Sequence, residues 1–311
     1  MDIQFYFDNF NRFNKNVKKF TGGRFFSCWK EEIYCALRFG CSPDDYFRYE
    51  FYKKSDFERD KFITYKRSQK IIKRYNDKKK NYIFDDKAEF NIFFKDFIKR
   101  DWIDLRKADQ KSFDSFLDKY GKVILKPVNG GQGKNIFILD KDNSDSFDIK
   151  NYREYIAEEI LVQNEKMKKL NPSSVNTVRV LTFRGKIIAC AMRVGGDNAV
   201  VDNLHSNGVC AHLDLKTGVI DALCIDNKMQ KYLYHPKTGL KLVGFRVPYW
   251  KEIRQSISQA VNIIPEVQYV GWDVAILEDG VAIIEGNRDP GHDVVQMIAQ
   301  TGLYNKIRKY Q

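Results

Sequence analysis

No Cys-x-x-Cys pair occurs among the six cysteines (Cys28, Cys35, Cys41, Cys190, Cys210, Cys224), and there are only four histidines. Both shortages argue against a zinc site of ordinary spacing. The thiols read instead as buried and reduced, as in a cytosolic protein. No apolar run approaches the roughly 20 residues that a membrane helix needs. The opening MDIQFYFDNFNRF lacks the basic start and apolar stretch of a signal peptide. A cytoplasmic location is the expectation. No nucleic-acid-binding motif appears, and nucleic acid is not an expected partner. Internal repeats and long disordered linkers are also missing.

The chain does have apolar material for a large core: 311 residues, 43% of them apolar and 14% aromatic. That length suggests two or three lobes. The net charge is +12, and residues 1–120 hold 28 Lys+Arg against 20 Asp+Glu. Such an excess could attract an acidic glycan or anionic lipid. The plainer reading is a solvated, lysine-rich surface.

Residues 1–80 read as a helical, basic region. Phe10, Phe13, Val17 and Phe20 follow three-and-four spacing, and Ile33 and Leu37 suggest a second helix ending near Gly40. Pro43-Asp44-Asp45 opens a further turn or helix, and KRSQKIIKRYNDKKK is an exposed one. An aromatic, basic helix of this kind could lie on a membrane surface, although such a stripe more often packs on its own domain. From residue 81 the texture changes. NYIFDDKAEFNIFFKDF predicts a short extended piece, then a helix capped at Asp85 or Asp86. Short β-like runs follow, with an amphipathic helix over residues 250–263. Strands interrupted by a few helices argue an α+β fold.

Three segments carry candidate chemistry. Asp273 lies in GWDVAIL; Glu285 and Asn287 lie in VAIIEGN, beyond a Glu278-Asp279-Gly280 turn. A hairpin there would hold two carboxylates and an amide at adjacent strand ends. Such a set of hard oxygens suits Mg²⁺ carrying nucleotide phosphates. A hairpin with incidental polar residues is the alternative. The second segment, KVILKPVNGGQGKNIFIL, delivers Lys126 on a strand, then Gly130, Gly131 and Gly133, then Lys134. Glycines admit phosphate oxygens close to backbone N–H groups, and the lysines supply positive charge. This is not a Walker A loop, because Val128 and Asn135 stand where Gly and Ser/Thr are needed. Ile136 likewise excludes G-x-G-x-x-G. A glycine hairpin without a ligand stays open as an alternative. The third segment, Glu158-Glu159-Ile160-Leu161-Val162, could offer backbone to an adenine edge and a carboxylate to a ribose.

Taken in order, Lys87 in DDKAEF, Lys126 in LKP, GGQGK, AEEILV and D…E-x-N resemble the ATP-grasp superfamily over roughly residues 80–300. NTVRVLTFRGKIIACAMRV and VDNLHSNG are similar to segments of the ribosomal-protein glutamate ligase type. LNPSSVNTVRV and EGNRDPGHD look more like ATP-grasp proteins associated with sugar transfer and cell-surface polysaccharide synthesis. The resemblance implies two α+β lobes gripping ATP: a nucleotide lobe over residues 81–165 and a catalytic lobe over residues 166–311, after the helical region 1–80. It implies that Lys87 and Lys126 contact the α- or β-phosphate, and that Gly130, Gly131 and Gly133 form a lid. Glu158 to Val162 would line adenine and ribose. Asp273, Glu285 and Asn287 would hold Mg²⁺, as a pair of ions. Arg179 and Arg193 would face the transferred phosphoryl group or the acceptor carboxylate, with Asn203 and His205 near the reacting groups. Ser206 and Asn207 depart from the N-L-H-R-G-G pattern, and Gly271 stands where some amino-acid ligases place Arg. These departures weaken the case for an amino-acid substrate.

The expected activity is ATP-dependent carboxylate–amine ligation through an acyl phosphate, on a small-molecule or glycan carboxylate and an amine. A sugar kinase and a non-catalytic nucleotide-binding component are the alternatives. His205 could deprotonate the amine or be a structural hydrogen-bonder. The arginines could instead pair with acids on the sheet.

Overall fold

A computed structural model describes residues 13, 15–19, 21, 22, 25–131, 133–144, 146–196 and 208–311. The chain forms two compact units, Met1–Tyr75 with Gly291–Gln311, and Asn76–Pro290. The motif order assigns residues 291–311 to the catalytic lobe; their contacts group them instead with the N-terminal helices. Among the described residues, no helix is long and apolar enough to cross a membrane.

The helical unit is assembled by local caps and one buried amide. Ser42 and Asp45 form a capping box that starts Pro43–Arg48, and Ser55 and Glu58 do the same for Asp56–Arg59. Helix Phe25–Phe39 buries Cys28, Cys35 and Phe39. Ile33 and Leu37, whose spacing suggests this helix, lie on its outer side, with Leu37 82% exposed. Gln296, on the C-terminal helix His292–Ala299, explains why that segment belongs here. Its amide donates to the Ile63 carbonyl at 2.9 Å and to the Tyr49 hydroxyl at 3.0 Å. Its Oε1 accepts from the backbone N–H groups of Ile63 at 2.8 Å and Leu303 at 2.9 Å. A fully buried amide with this many partners specifies one packing.

The second unit holds two antiparallel sheets. The smaller has strand order β1-β4-β2-β3, with β1 Trp102–Asp104, β2 Lys122–Pro127, β3 Phe137–Asp140 and β4 Tyr155–Glu159. Phe113 and Leu117 of helix Gln110–Tyr120 cover it, packing with Val123, Leu125 and Ala157. The larger has order β11-β10-β5-β6-β7-β8-β9. Its strands are β5 Thr177–Phe183, β6 Lys186–Val194, β7 Val209–His212, β8 Cys224–Ile225, β9 Lys231–Tyr232, β10 Tyr269–Leu277 and β11 Gly280–Asn287. Alternation divides its two faces. Val178, Val180, Cys190, Met192, Trp272 and Val274 join Ile253, Ile257 and Ala260 of helix Trp250–Ala260 in the main core. Arg179, Arg193 and Asp273, one residue out of phase, occupy the opposite face.

Two elements differ from expectation. The extended piece predicted at residue 81 is a helix, Asn81–Asp85, and Asp86 caps the next one, Lys87–Phe93. Strands β1 and β9 are only three and two residues long, too short to show a period in the sequence.

Candidate active site

The D…E-x-N hairpin forms as expected, and its register sets the geometry. Asp273 of β10 lies opposite Glu285 of β11 and, on its other side, opposite Arg179 of β5. Paired residues share a face, so all three side chains converge. Arg179 grips Asp273 with two hydrogen bonds, Nε to Oδ1 at 2.6 Å and Nη2 to Oδ2 at 2.9 Å. Arg193 Nη1 adds a third, to Oδ2 at 2.9 Å. Asn287 Nδ2 donates to Glu285 Oε1 at 3.1 Å. Two glycines make room. A Cβ on Gly271 would stand 3.1 Å from Arg179 Nη1, and one on Gly286 would stand 3.0 Å from the rings of Phe84 and Phe90. Gly286 therefore lets the helices that carry Lys87 close on β11, between Glu285 and Asn287.

The charges of the two carboxylates diverge. Burial acts to raise both. At Asp273 the arginines more than offset it and hold the carboxyl below its ordinary value of 3.8. At Glu285, burial and the neighbouring Asp273 charge push the carboxyl up. A buried carboxylate beside another, with the guanidinium charge already spent on its neighbour, is suited to a further cation. Glu285 and the Asn287 amide are hard oxygen donors of the kind Mg²⁺ takes. The Glu285 and Asn287 donors thus fit Mg²⁺, while both Asp273 oxygens accept from the arginines. Among the described residues, no group of three or more His, Cys, Asp or Glu side chains that could hold a metal ion is found.

The small sheet and the helix beside it supply the cations. Lys126 of β2 donates to Glu158 Oε2 on β4 at 2.6 Å. Lys87 Nζ donates to the carbonyls of Pro127 at 3.0 Å and Gly130 at 2.9 Å, clasping the root of the glycine loop. Burial lowers the affinity of Lys87 for its proton, while Glu285 acts to raise it. The loop itself turns through left-handed φ at Gly130 (116°), Gly133 (70°) and Asn135 (57°). Lys134 is exposed, and Gln132 lies outside the described residues.

Glu158 is not an open carboxylate awaiting a ribose. It is 1% exposed and accepts from Arg100, Asn91 and Lys126. Burial would raise its carboxyl, but the charges of Arg100 and Lys126 hold it far below its ordinary value. Glu159 accepts from the Asp101 backbone N–H at 3.1 Å. Beyond β4, Ile160 is half-buried and Val162 is 70% exposed. Asn203 and His205 lie outside the described residues.

Arg100 escapes sequence reasoning because a single arginine in IKRDW carries no motif. So does the role of LNPSSVN. Asn176 Nδ2 donates to Gln163 Oε1 and to the carbonyls of Met167 and Asn171, and Asn171 Nδ2 reaches the Gly196 carbonyl at 3.2 Å. This buried polar knot holds the end of β6, just beyond Arg193. A Cβ on Gly195 would stand 2.1 Å from Ser174 Oγ and 2.7 Å from Asn171 Nδ2. Gly195→Ala should therefore destabilise the unit by about 1–3 kcal/mol, as an overpacked site does. A urea midpoint equal to the wild type would contradict that.

Comparison with known proteins identifies a family. A family model described as sugar-transfer-associated ATP-grasp matches residues 148–311, and a YheC/D-like ATP-grasp model matches residues 104–182. No curated protein matches the sequence. Among solved structures, the ATP-grasp ligase PsnB, complexed with a phosphomimetic variant of minimal precursor, Mg and ADP, aligns with a TM-score of 0.48 at 13% identity, over 76% of this chain and 59% of its own. D-alanine–D-alanine ligase from Bacillus anthracis aligns at 0.39 and 12% identity, over 72% of this chain and 69% of its own. D-cycloserine synthetase DcsG aligns at 0.41 and 9% identity, over 71% and 69%. The chain thus spans less than two thirds of the PsnB chain.

Proposed function

The chain belongs to the sugar-transfer-associated ATP-grasp family, and from that premise we propose that it is an ATP-dependent carboxylate–amine ligase. The observation that carries the reading is the pairing of opposites in one unit. Lys87 and Lys126 come from the small-sheet side, and Asp273 and Glu285 from the large sheet, with the Glu285 charge acting on Lys87. Cations and buried carboxylates in one unit are what an ATP–metal complex needs at its two ends.

The chemistry follows from charge. A carboxylate is a poor electrophile. Transfer of the γ-phosphoryl group to it gives an acyl phosphate and ADP. An amine then attacks the carbonyl carbon, the C–O bond to phosphate breaks, and inorganic phosphate leaves. Lys87 and Lys126 bind the phosphates. Arg179 and Arg193, which pair with Asp273 on the sheet, are proposed to orient the acceptor carboxylate. Glu285 and Asn287, with Asp273, would hold Mg²⁺, proposed as a pair of ions, which would neutralise phosphate charge. The glycine loop, closing over the phosphates, excludes water that would hydrolyse the acyl phosphate. Asn203 and His205 are proposed to stand near the amine, His205 as its base.

The acceptor we propose is a cell-surface polysaccharide precursor, a uronic acid joined to an amino acid or amino sugar. The charge distribution supports an acidic partner. Residues 1–75 and 291–311 carry 20 Lys+Arg against 11 Asp+Glu, a surplus of 9 within the chain's total of 12. A lipid-linked acceptor at the inner membrane face, with the protein cytoplasmic, fits the same surplus.

Incubation with ATP, Mg²⁺, a panel of uronic acids and hydroxylamine tests the first half-reaction. Hydroxylamine traps an acyl phosphate as a hydroxamate. Phosphate release that then requires both an acid and an amine is the expected result. Stable phosphorylated product formed without an amine would make the protein a kinase. Failure to bind Mg·ATP at all would overturn both enzyme readings.

A further inference from the structure

Arg100 is among the least accessible charges in the second unit, with its side chain 2% exposed beside Glu158 at 1%. Its contacts reach both sheets. Nη2 donates to Glu158 Oε1 at 2.9 Å and to Asn91 Oδ1 at 3.2 Å on the small-sheet side. Nη2 also lies 3.0 Å from the carbonyl of Ile284, and Nη1 lies 3.1 Å from that of Ile283, both on β11 of the large sheet. Nη1 reaches its own turn at the Ile98 carbonyl, 3.2 Å away. Nε is buried with no hydrogen-bond partner among the described residues.

The two ends of this bridge are not arbitrary places. Asp273 pairs with Glu285, but the next pair is Val274 with Ile283, so Ile284 is the extra residue of a β-bulge. A bulge re-aims the side chain beside it, and that side chain is Glu285. The guanidinium binds the two carbonyls that define the bulge. At its other end it takes one oxygen of Glu158 and leaves the second for Lys126. A lone lysine beside a buried carboxylate would be drawn fully to it; Arg100 shares that charge. The flat, forked guanidinium can span a carboxylate and two carbonyls at once, which an ammonium on a flexible stem cannot.

We infer that Arg100 is a positioning residue that couples the phosphate-binding Lys126 to the metal-binding Glu285, so that ATP and Mg²⁺ bind cooperatively. The inference rests on the Mg·ATP reading above. It assigns a task to a residue that touches neither ligand. The cooperativity arises because ordering Glu285 for the ion and holding Lys126 for the phosphate use the same guanidinium.

The test is calorimetric titration of the full chain with AMPPNP, with and without Mg²⁺, reading the ratio of the two dissociation constants. In Arg100→Lys this ratio should fall about tenfold or more, as losses around a metal site do. Ile257→Ala, in the apolar core of the same unit, is the control for lost stability alone; its thermal midpoint should drop with the ratio unchanged. An unchanged ratio in Arg100→Lys, or an equal fall in Ile257→Ala, overturns the inference. If Arg100→Lys does not fold, Asn91→Ala removes one of the arginine's partners; it should move the ratio in the same direction by less, and no movement overturns the coupling. A wild-type chain indifferent to Mg²⁺ would sink the Mg·ATP reading and the coupling with it. That failure is seen in the wild type, whereas failure of the coupling alone is seen only in the variants.

Discussion

Glu285→Gln is expected to abolish Mg²⁺-dependent ATP binding and to slow phosphate release about 10³-fold, on the order of 4 kcal/mol of transition-state stabilisation. The substitution keeps the volume and an acceptor for Asn287 Nδ2, so packing should be preserved. What it removes is the charge. Glu285 sits beside Asp273, whose own charge is already met by Arg179 and Arg193. The carboxylate of Glu285 is therefore the part of the pair left to face a cation. A pH dependence follows. Because burial and Asp273 raise the Glu285 carboxyl above its ordinary 4.5, protonation competes with the metal at a higher pH than for a surface glutamate. Mg·ATP affinity should weaken on acidification before ordinary carboxylates titrate. Calorimetry with Mg·AMPPNP across pH reads both effects; wild-type affinity in Glu285→Gln would remove the metal from this site.

The second large effect concerns stability. Asp273→Ala leaves two mostly buried guanidiniums, Arg179 and Arg193, without their shared partner. Breaking a buried pair from one side costs about 3 kcal/mol or more, because the remaining charge stays desolvated. Asp273→Asn should cost less, since its amide oxygen still accepts from an arginine. The sign with pH is defined. The folded-state carboxyl of Asp273 is depressed below 3.8, so its stabilisation is fully present above that value. It is lost only as pH falls through the depressed value. The gap between wild type and Asp273→Ala should thus not close between neutral pH and mild acid, where release of the raised Glu285 carboxyl in the variant can only add to it. Urea denaturation at several pH values measures it, and a gap that closes near neutrality would contradict the assignment.

Much of this site is legible in the sequence. The hairpin of GWDVAIL and VAIIEGN, the lysine ahead of the glycine loop, and the strand pair carrying Arg179 and Arg193 all follow from alternation and turn chemistry. Those are local rules, and the segments obey them. Sequence misleads where a long-range partner overrides the local pattern. Glu158 reads as a polar residue at a strand end; its partners, Asn91, Arg100 and Lys126, lie far away in the chain. Ile33 and Leu37 announce their helix by spacing, but Cys28 and Cys35 form its inner face. NYIFD reads as extended by composition, yet it forms a helix packed on Gly286. Arg100 has no local signal at all, since its meaning depends on two carbonyls of a bulge almost two hundred residues later.

The grouping of residues 291–311 with the N-terminal helices has a consequence for biosynthesis. The amide of Gln296 completes the bonds of Ile63 and Tyr49, so the first unit lacks part of its interior until the ribosome has made everything between. The second unit, continuous from Asn76 to Pro290, is complete first. The first unit would wait, without the partners that Gln296 supplies, through the synthesis of the whole second one. A nascent chain arrested before Gln296 should therefore hold a protease-resistant second unit behind a protease-sensitive beginning.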